Sequence, residues 1–293
     1  GKAVKNLLIA EPFYGLFLMQ LEKEWTDIID TSGVAKKGIN IGLYINELFW
    51  ESLEDKWRIG VLKHDILNVV FHHIDLWSNL PEKDILCLSS NICCNQYIDP
   101  SWLPLFDVKY KDYVELNSEL IEMLKEDLRL KKKTRKEVIE EWRKIPPRGV
   151  YLHDFPELKL LEKQGLKYYY DMLLKAKDKQ PGKGGSKALN DLLANKKAQM
   201  PDYWTKDFKE FEGMSEADSK LIKAQVDYQL KEIATQITKT RGTVPSELSE
   251  YINGLDKKEP PKFNWKAYLR RFAGGSEKAD IIRTRSKYNI RYP

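Results

Sequence analysis

The sequence predicts a mostly helical α+β protein with one small β-sheet. Apolar residues recur at helical spacing through most of the chain, whereas only residues 39–45 alternate as a strand does. Charged residues make up 32% of the 293, which suits many solvated helix faces. Hydrophobic content of 42% and aromatic content of 11% still allow a substantial core.

Residues 3–10 and 13–25 read as helices, with Pro12 in the first turn of the second, where its missing N–H costs nothing. Leu7, Leu8, Phe13, Leu16, Phe17 and Leu21 supply a buried stripe. The run Ile-Asn-Ile-Gly-Leu-Tyr-Ile at 39–45 reads as a short strand. Ser52, with Asp55 three residues on, resembles a capping box opening a helix from Leu53 to Trp77. A second buried helix covers Asp84 to Ile98. Residues 112–143 carry two charged helical patterns, split near Lys131-Lys132-Lys133 and ended by Pro146-Pro147. Leu161, Leu166, Tyr169 and Leu173 mark an amphipathic helix from Leu158 to Lys177. Residues 178–187 (DKQPGKGGSK) have the Gly, Lys and Pro content of a flexible linker. Residues 215–241 form a long helical pattern stopped by Gly242, and Pro245-Ser246 begin a shorter one. Residues 264–273 add a last helix around Trp265, Leu269 and Phe272, before a basic tail. There is no internal repeat.

The bulk properties exclude several classes. Net charge is +5, from 49 basic and 44 acidic residues, too small an excess to argue for nucleic-acid binding by itself. Lys131-Lys132-Lys133, Arg135, Lys175, Lys177, Lys179, Lys183 and Lys187 could touch phosphates, but a solvated helix face and a loop explain them better. Gly182-Lys183-Gly184-Gly185-Ser186-Lys187 lacks the spacing and the preceding strand of a P-loop. No apolar run reaches the roughly 18 residues needed to span a bilayer. Glu11 and Pro12 interrupt the N-terminal apolar stretch, so no signal peptide is read. Three cysteines, Cys87, Cys93 and Cys94, build no disulfide framework and point to a reducing, cytoplasmic setting. Trp25, Trp50, Trp57, Trp77 and Trp102 are expected in the core, Tyr168-Tyr169-Tyr170 is expected to pack, and His153 is a lone loop histidine.

The most informative stretch is His64-Asp65-Ile66-Leu67-Asn68, followed by His72-His73. An H-E-x-x-H helix sets two imidazoles on one face, with a carboxylate able to polarise a metal-bound water. Here Asp stands for Glu and Asn for the second His. On one continuous helix His64, Asn68 and His72 are spaced i, i+4 and i+8, about 6 Å apart along the axis. Asn91, on the next helix, could supply a third ligand, and Ser89 and Ser90 would let the two helices approach. The cysteine spacing fits no zinc pattern. A purely structural reading remains open, in which His64 and Asn68 hydrogen-bond inside a helical core.

These residues resemble the N-terminal domain of predicted metal-dependent peptidases that carry a von Willebrand factor A-like domain downstream. The family's "N-P-x-F" is matched by Asn46-Glu47-Leu48-Phe49, and its "L-x-H-E-x-x-H-x-x-x-x-H" by residues Leu62 to His73. Its "W-N-I-A-x-D-x-x-I-N" is matched by Cys87 to Asn95, and its "R-G-x-x-P" by Arg241 to Pro245. Its "W-R-x-L-L-R-x-F" resembles Asn264 to Phe272, and the basic run leading into the A-like domain resembles Arg283 to Pro293. The resemblance implies a zincin-like domain over 1–150, a helical connection over 151–177, the linker 178–187, and a helical region over 188–293. That last region leads towards an A-like domain that is absent or truncated. It also implies metal ligands at His64, Asn68 and Asn91, and a general base at Asp65. Three of these four positions are substituted, so the expectation is a catalytically inactive interaction or assembly module with no cofactor. Its surface would be the cleft between the His64 and Asn91 helices. The alternatives are an atypical zinc peptidase, with His64 as ligand, Asp65 as base and His72 or His73 recruited, and a basic nucleic-acid-associated protein using the 175–187 loop. The partner expected is a protein, and the resemblance implies a MoxR-type AAA+ ATPase.

Overall fold

The computed structural model describes residues 1–26, 29, 31–37, 40–76, 80–109, 112, 134–144, 148–179, 184–194, 216–240 and 242–256. The architecture is mostly α with a three-stranded mixed sheet. The described residues up to Leu255 belong to one compact unit.

Helices α1 (Lys2–Ala10) and α2 (Pro12–Gln20) form a hairpin bent at Glu11, with Pro12 opening α2. Gly15 lets them touch, since a Cβ there would sit 2.4 Å from Leu8 Cα. The second helix stops earlier than the expected 13–25. Leu21 turns extended, and β1 (Glu22–Trp25) pairs parallel with β3 (Asn40–Ile45). The apolar stripe ends at Leu21, and all four β1 side chains are exposed, so the strand ladder rather than core packing holds this segment. Strand β2 (Ser32–Lys37) pairs antiparallel on the other side of β3, giving the order β1-β3-β2.

Asn46 caps α3 (Glu47–Ser52): its Oδ1 accepts from the Phe49 N–H at 3.0 Å and its Nδ2 donates to the Ile29 carbonyl at 2.7 Å. Ser52 therefore does not open the next helix. Its hydroxyl donates back to the Phe49 carbonyl, and α4 (Asp55–Val70) starts after Glu54 without a side-chain cap. Helix α4 also ends at Val70 instead of Trp77. His72 enters the left-handed region at φ 57° and His73–Leu76 form a 3₁₀ turn. Contacts from His72 Nε2 to Asp227 (3.0 Å) and the Tyr251 hydroxyl (2.9 Å) offset that backbone strain.

Helix α4 is the hub, packed against α1, α2, β2 and α5 (Lys83–Asn95). Ile66 and Leu67 of α4, and Ile85, Leu86, Leu88 and Ile92 of α5, are fully buried, each worth about 2 kcal/mol of apolar transfer. Helix α6 (Arg135–Lys144) packs on α3; the charged pattern over 113–133 and the Pro146-Pro147 stop lie outside the described residues.

Helix α7 (Leu166–Lys177) runs along α5 and starts later than the expected Leu158. Leu161 is 60% exposed, and Lys159 and Lys163 have positive φ. Side chains replace helical bonds there: Gln96 Oε1 accepts from the Lys163 N–H at 2.7 Å and the Tyr169 hydroxyl from the Gln164 N–H at 3.0 Å. Ser186, fully buried, accepts from the Leu189 N–H to open α8 (Lys187–Ala194). Helix α9 (Glu216–Lys239) ends near Gly242, whose N–H returns to the Ile237 carbonyl. Helix α10 (Ser246–Asp256) follows Pro245. The expected helix over 264–273 and the basic tail lie outside the described residues.

The described tryptophans sit at the rim of the core, with Trp50 and Trp102 packed against it. Trp25 is 56% exposed, Trp50, Trp57 and Trp102 are half-buried, and Trp77 lies outside the described residues. Phe, Tyr, Leu and Ile fill that space, with Tyr169 and Tyr170 buried as their packing role requires. No described helix is long and apolar enough to cross a membrane.

Candidate functional site

Helices α4 and α5, the start of β2 and the extended segment 148–151 line an open cleft with a cavity volume of about 90 Å³. Ser32, His64, Asp65, Asn91, Asn95 and Tyr151 are among its walls. Three of the four sequence-derived positions meet here.

His64 Nδ1 lies 2.9 Å from Asn95 Oδ1. Asn95 Nδ2 donates to the Val150 carbonyl at 2.9 Å, which fixes Oδ1 as the acceptor. The network therefore assigns the His64 proton to Nδ1 and leaves Nε2 as a bare acceptor with no partner among the described residues. Burial lowers the imidazole pKa to about 4, against the opposing Asn95 hydrogen bond, so the ring is neutral.

Asp65 is buried beneath β2. Its Oδ2 accepts from the Ser32 hydroxyl at 2.7 Å, and its Oδ1 has no partner among the described residues. Burial raises its pKa to about 7 and the Ser32 bond only partly offsets this. Asn91 is also buried; its Nδ2 donates to the Cys87 carbonyl one turn back at 3.0 Å, and its Oδ1 has no described partner.

Asn68 is not part of this wall. Its Nδ2 donates to the His64 carbonyl at 3.1 Å. Its Oδ1 accepts from the Ser90 hydroxyl and lies 3.1 Å from His73 Nδ1. His73 is buried, 3.0 Å from the Ser90 oxygen, and burial lowers its pKa to about 3. His72, beyond the end of α4, turns to Asp227 and Tyr251. Burial pushes the Asp227 carboxyl up, but hydrogen bonds from His72 and Tyr251 outweigh it and the net shift is down. Neither His72 nor His73 lines the cavity.

The donors facing the cavity are one imidazole, one carboxyl already bonded to Ser32, and amide oxygens. Zinc favours imidazole, thiolate and carboxylate, and amide oxygen binds it poorly, so this set does not fit a zinc cage. Among the described residues no three His, Cys, Asp or Glu stand close enough to hold a metal. Cys87, Cys93 and Cys94 are free and buried, and burial raises all three thiols, Cys93 to about 12.

Several residues that shape the site were not legible in sequence. Ser32 and Asn95, the partners of Asp65 and His64, come from a strand edge and from the α5 terminus. The wall segment is pinned by Arg148, fully buried, which binds Asp154 at 2.8 and 2.6 Å and the Val108 carbonyl at 2.7 Å. The Tyr151 hydroxyl donates to the Pro104 carbonyl at 2.7 Å. An Arg and an Asp six residues apart in a loop give no periodic signal; only the two Asn at i and i+4 on α5 hinted at Asn95.

No family model, curated protein or solved structure matches this chain. The likeness to the peptidase family therefore stands on its motif residues alone.

Proposed function

We propose that this protein is a metallopeptidase-like scaffold whose ion cage has been replaced, and that it works as a protein-binding module through the α4–α5 cleft. One observation carries the reading. Asn68, at the position of the second imidazole, is tied to Ser90 and its own helix, away from the cavity shared by His64, Asp65 and Asn91. A zinc hydrolase needs that position to complete its ligands and a charged base beside them. Here the base position is a carboxyl held by Ser32, and the neighbouring imidazole is held by Asn95.

Elemental analysis tests this directly. Protein dialysed against zinc and then against buffer is expected to retain far less than one equivalent, and to cleave no unfolded protein substrate faster than its His64→Ala variant does. Zinc near one equivalent, lost in His64→Ala, would reject the reading in favour of an atypical peptidase.

A further inference from the structure

We propose that the α4–α5 cleft binds an alkylammonium group, held by Asp65, His64 Nε2 and Asn91 Oδ1. This rests on the reading above, and names the chemistry that the cleft recognises.

Three acceptors of the walls, Asp65 Oδ1, Asn91 Oδ1 and His64 Nε2, have no partner among the described residues, while the Ser32 and Tyr151 hydroxyls and one N–H of each asparagine amide are occupied. The Ser32 hydroxyl donates to Asp65, Asn91 Nδ2 to Cys87, Asn95 Nδ2 to Val150, and the Tyr151 hydroxyl to Pro104. The guanidinium of Arg148 already faces Asp154 and two carbonyls, so it is not an anion site. Two side chains more than nine-tenths buried, Asp65 and Asn91, are among the walls, and each has an oxygen that accepts nothing from the described residues. A buried acceptor without a partner costs free energy, and a buried carboxylate costs more, until a donor arrives. An ammonium group offers three N–H donors and a positive charge, matching two oxygens and one ring nitrogen.

The remaining walls suit the stem of such a group. Phe49, Val61, Leu103 and Pro104 present apolar surface beside the polar floor. About 90 Å³ holds an ammonium and a short run of methylenes, given that one water needs roughly 10–15 Å³ by the same measure. Two sources carry that chemistry: a lysine side chain of a partner protein, and a free aliphatic diamine.

Titration calorimetry on the full chain separates them. The probes are Nα-acetyl-lysine N-methylamide and cadaverine, with pentanoate and 1-pentanol as anionic and neutral controls. Saturable binding of at least one amine at one site per chain is expected, with neither control bound. Tighter lysine amide supports the partner side chain, and tighter cadaverine the free diamine. Asp65→Asn keeps the Ser32 bond and should weaken the amine by about ten-fold or more. Asn91→Asp should tighten it and Asn91→Leu should weaken it, which decides the matter if Asp65→Asn does not fold. Binding of pentanoate or pentanol as strong as the amines, or amine affinity unmoved in the folded variants, overturns the proposal. The zinc content of the same sample keeps the two readings apart. One equivalent of zinc overturns both, whereas zinc-free protein that ignores both amines overturns this one alone.

Discussion

Asn68, Ser90 and His73 form a buried polar triangle in which each group has a partner, and this makes His73 a pH-sensitive part of the core. Its folded pKa, about 3, lies below the unfolded value near 6.5. On acidification the unfolded chain therefore binds the proton first. The stability associated with a neutral His73 is complete above about pH 6.5 and is lost as pH falls towards 3, by on the order of 4 kcal/mol across the window. His64, lowered to about 4, acts in the same direction. Asp65 acts oppositely: raised to about 7, it keeps its proton below that pH when folded while the unfolded chain has released it, so its contribution declines as pH rises from the carboxylate range and is gone above 7, where the folded group is a carboxylate. Urea denaturation between about pH 4 and 7 is expected to show a steep acid limb in wild type. His73→Asn, whose amide nitrogen can replace Nδ1 on Asn68, should show a shallower one. Equal slopes would mean that His73 is solvated.

At the scale of the element, α4 owes its position to a missing side chain. A Cβ on Gly60 would lie 2.2 Å from the Trp102 carbonyl oxygen, so the helix rests directly on the 3₁₀ turn Pro100–Trp102. Gly60→Ala should therefore lose about 1–3 kcal/mol in urea unfolding, although alanine favours an isolated helix by about 1 kcal/mol. Gly254, in α10, meets nothing within 4 Å, and Gly254→Ala should gain about 0.5–1 kcal/mol. A Gly60→Ala variant as stable as wild type would show that α4 stands further from the turn. The helices themselves were legible: α1, α4, α5, α9 and α10 all appear near their apolar stripes. Their ends were not. The stripe does not show that Ser52 bonds backwards, that His72 turns left-handed to meet Asp227, or that Gln96 and Tyr169 take over the N–H groups before α7.

On the scale of the whole molecule, parts distant in the chain meet around α2 and α4. The Tyr14 hydroxyl donates to Glu247, 233 residues away, at 2.6 Å, and Lys63, buried, pairs with Glu11 at 2.7 Å. His72, Asp227 and Tyr251 tie the end of α4 to α9 and α10. The proposed ancestry can be tested on this frame. The triple variant Asp65→Glu, Asn68→His, Asn91→Asp should take up about one equivalent of zinc where wild type does not, because it restores the motif's imidazole one helical turn from His64 and its two carboxylates, and a histidine at 68 no longer offers Ser90 the amide oxygen that holds it off the cavity. A folded triple variant without zinc would leave the kinship with peptidases unsupported.

Residue pattern alone determined that the chain is mostly helical with one small sheet, and it singled out His64, Asp65 and Asn91, which the structure places around one cavity. Periodic burial and one-turn spacing are local properties, carried by neighbouring residues. Only the tertiary structure decided that Asn68 leaves the group for Ser90, that Ser32 and Asn95 hold Asp65 and His64, and that an Arg148–Asp154 pair closes the wall. Each of those is a hydrogen bond whose partner depends on which elements pack side by side, and no local period records that choice.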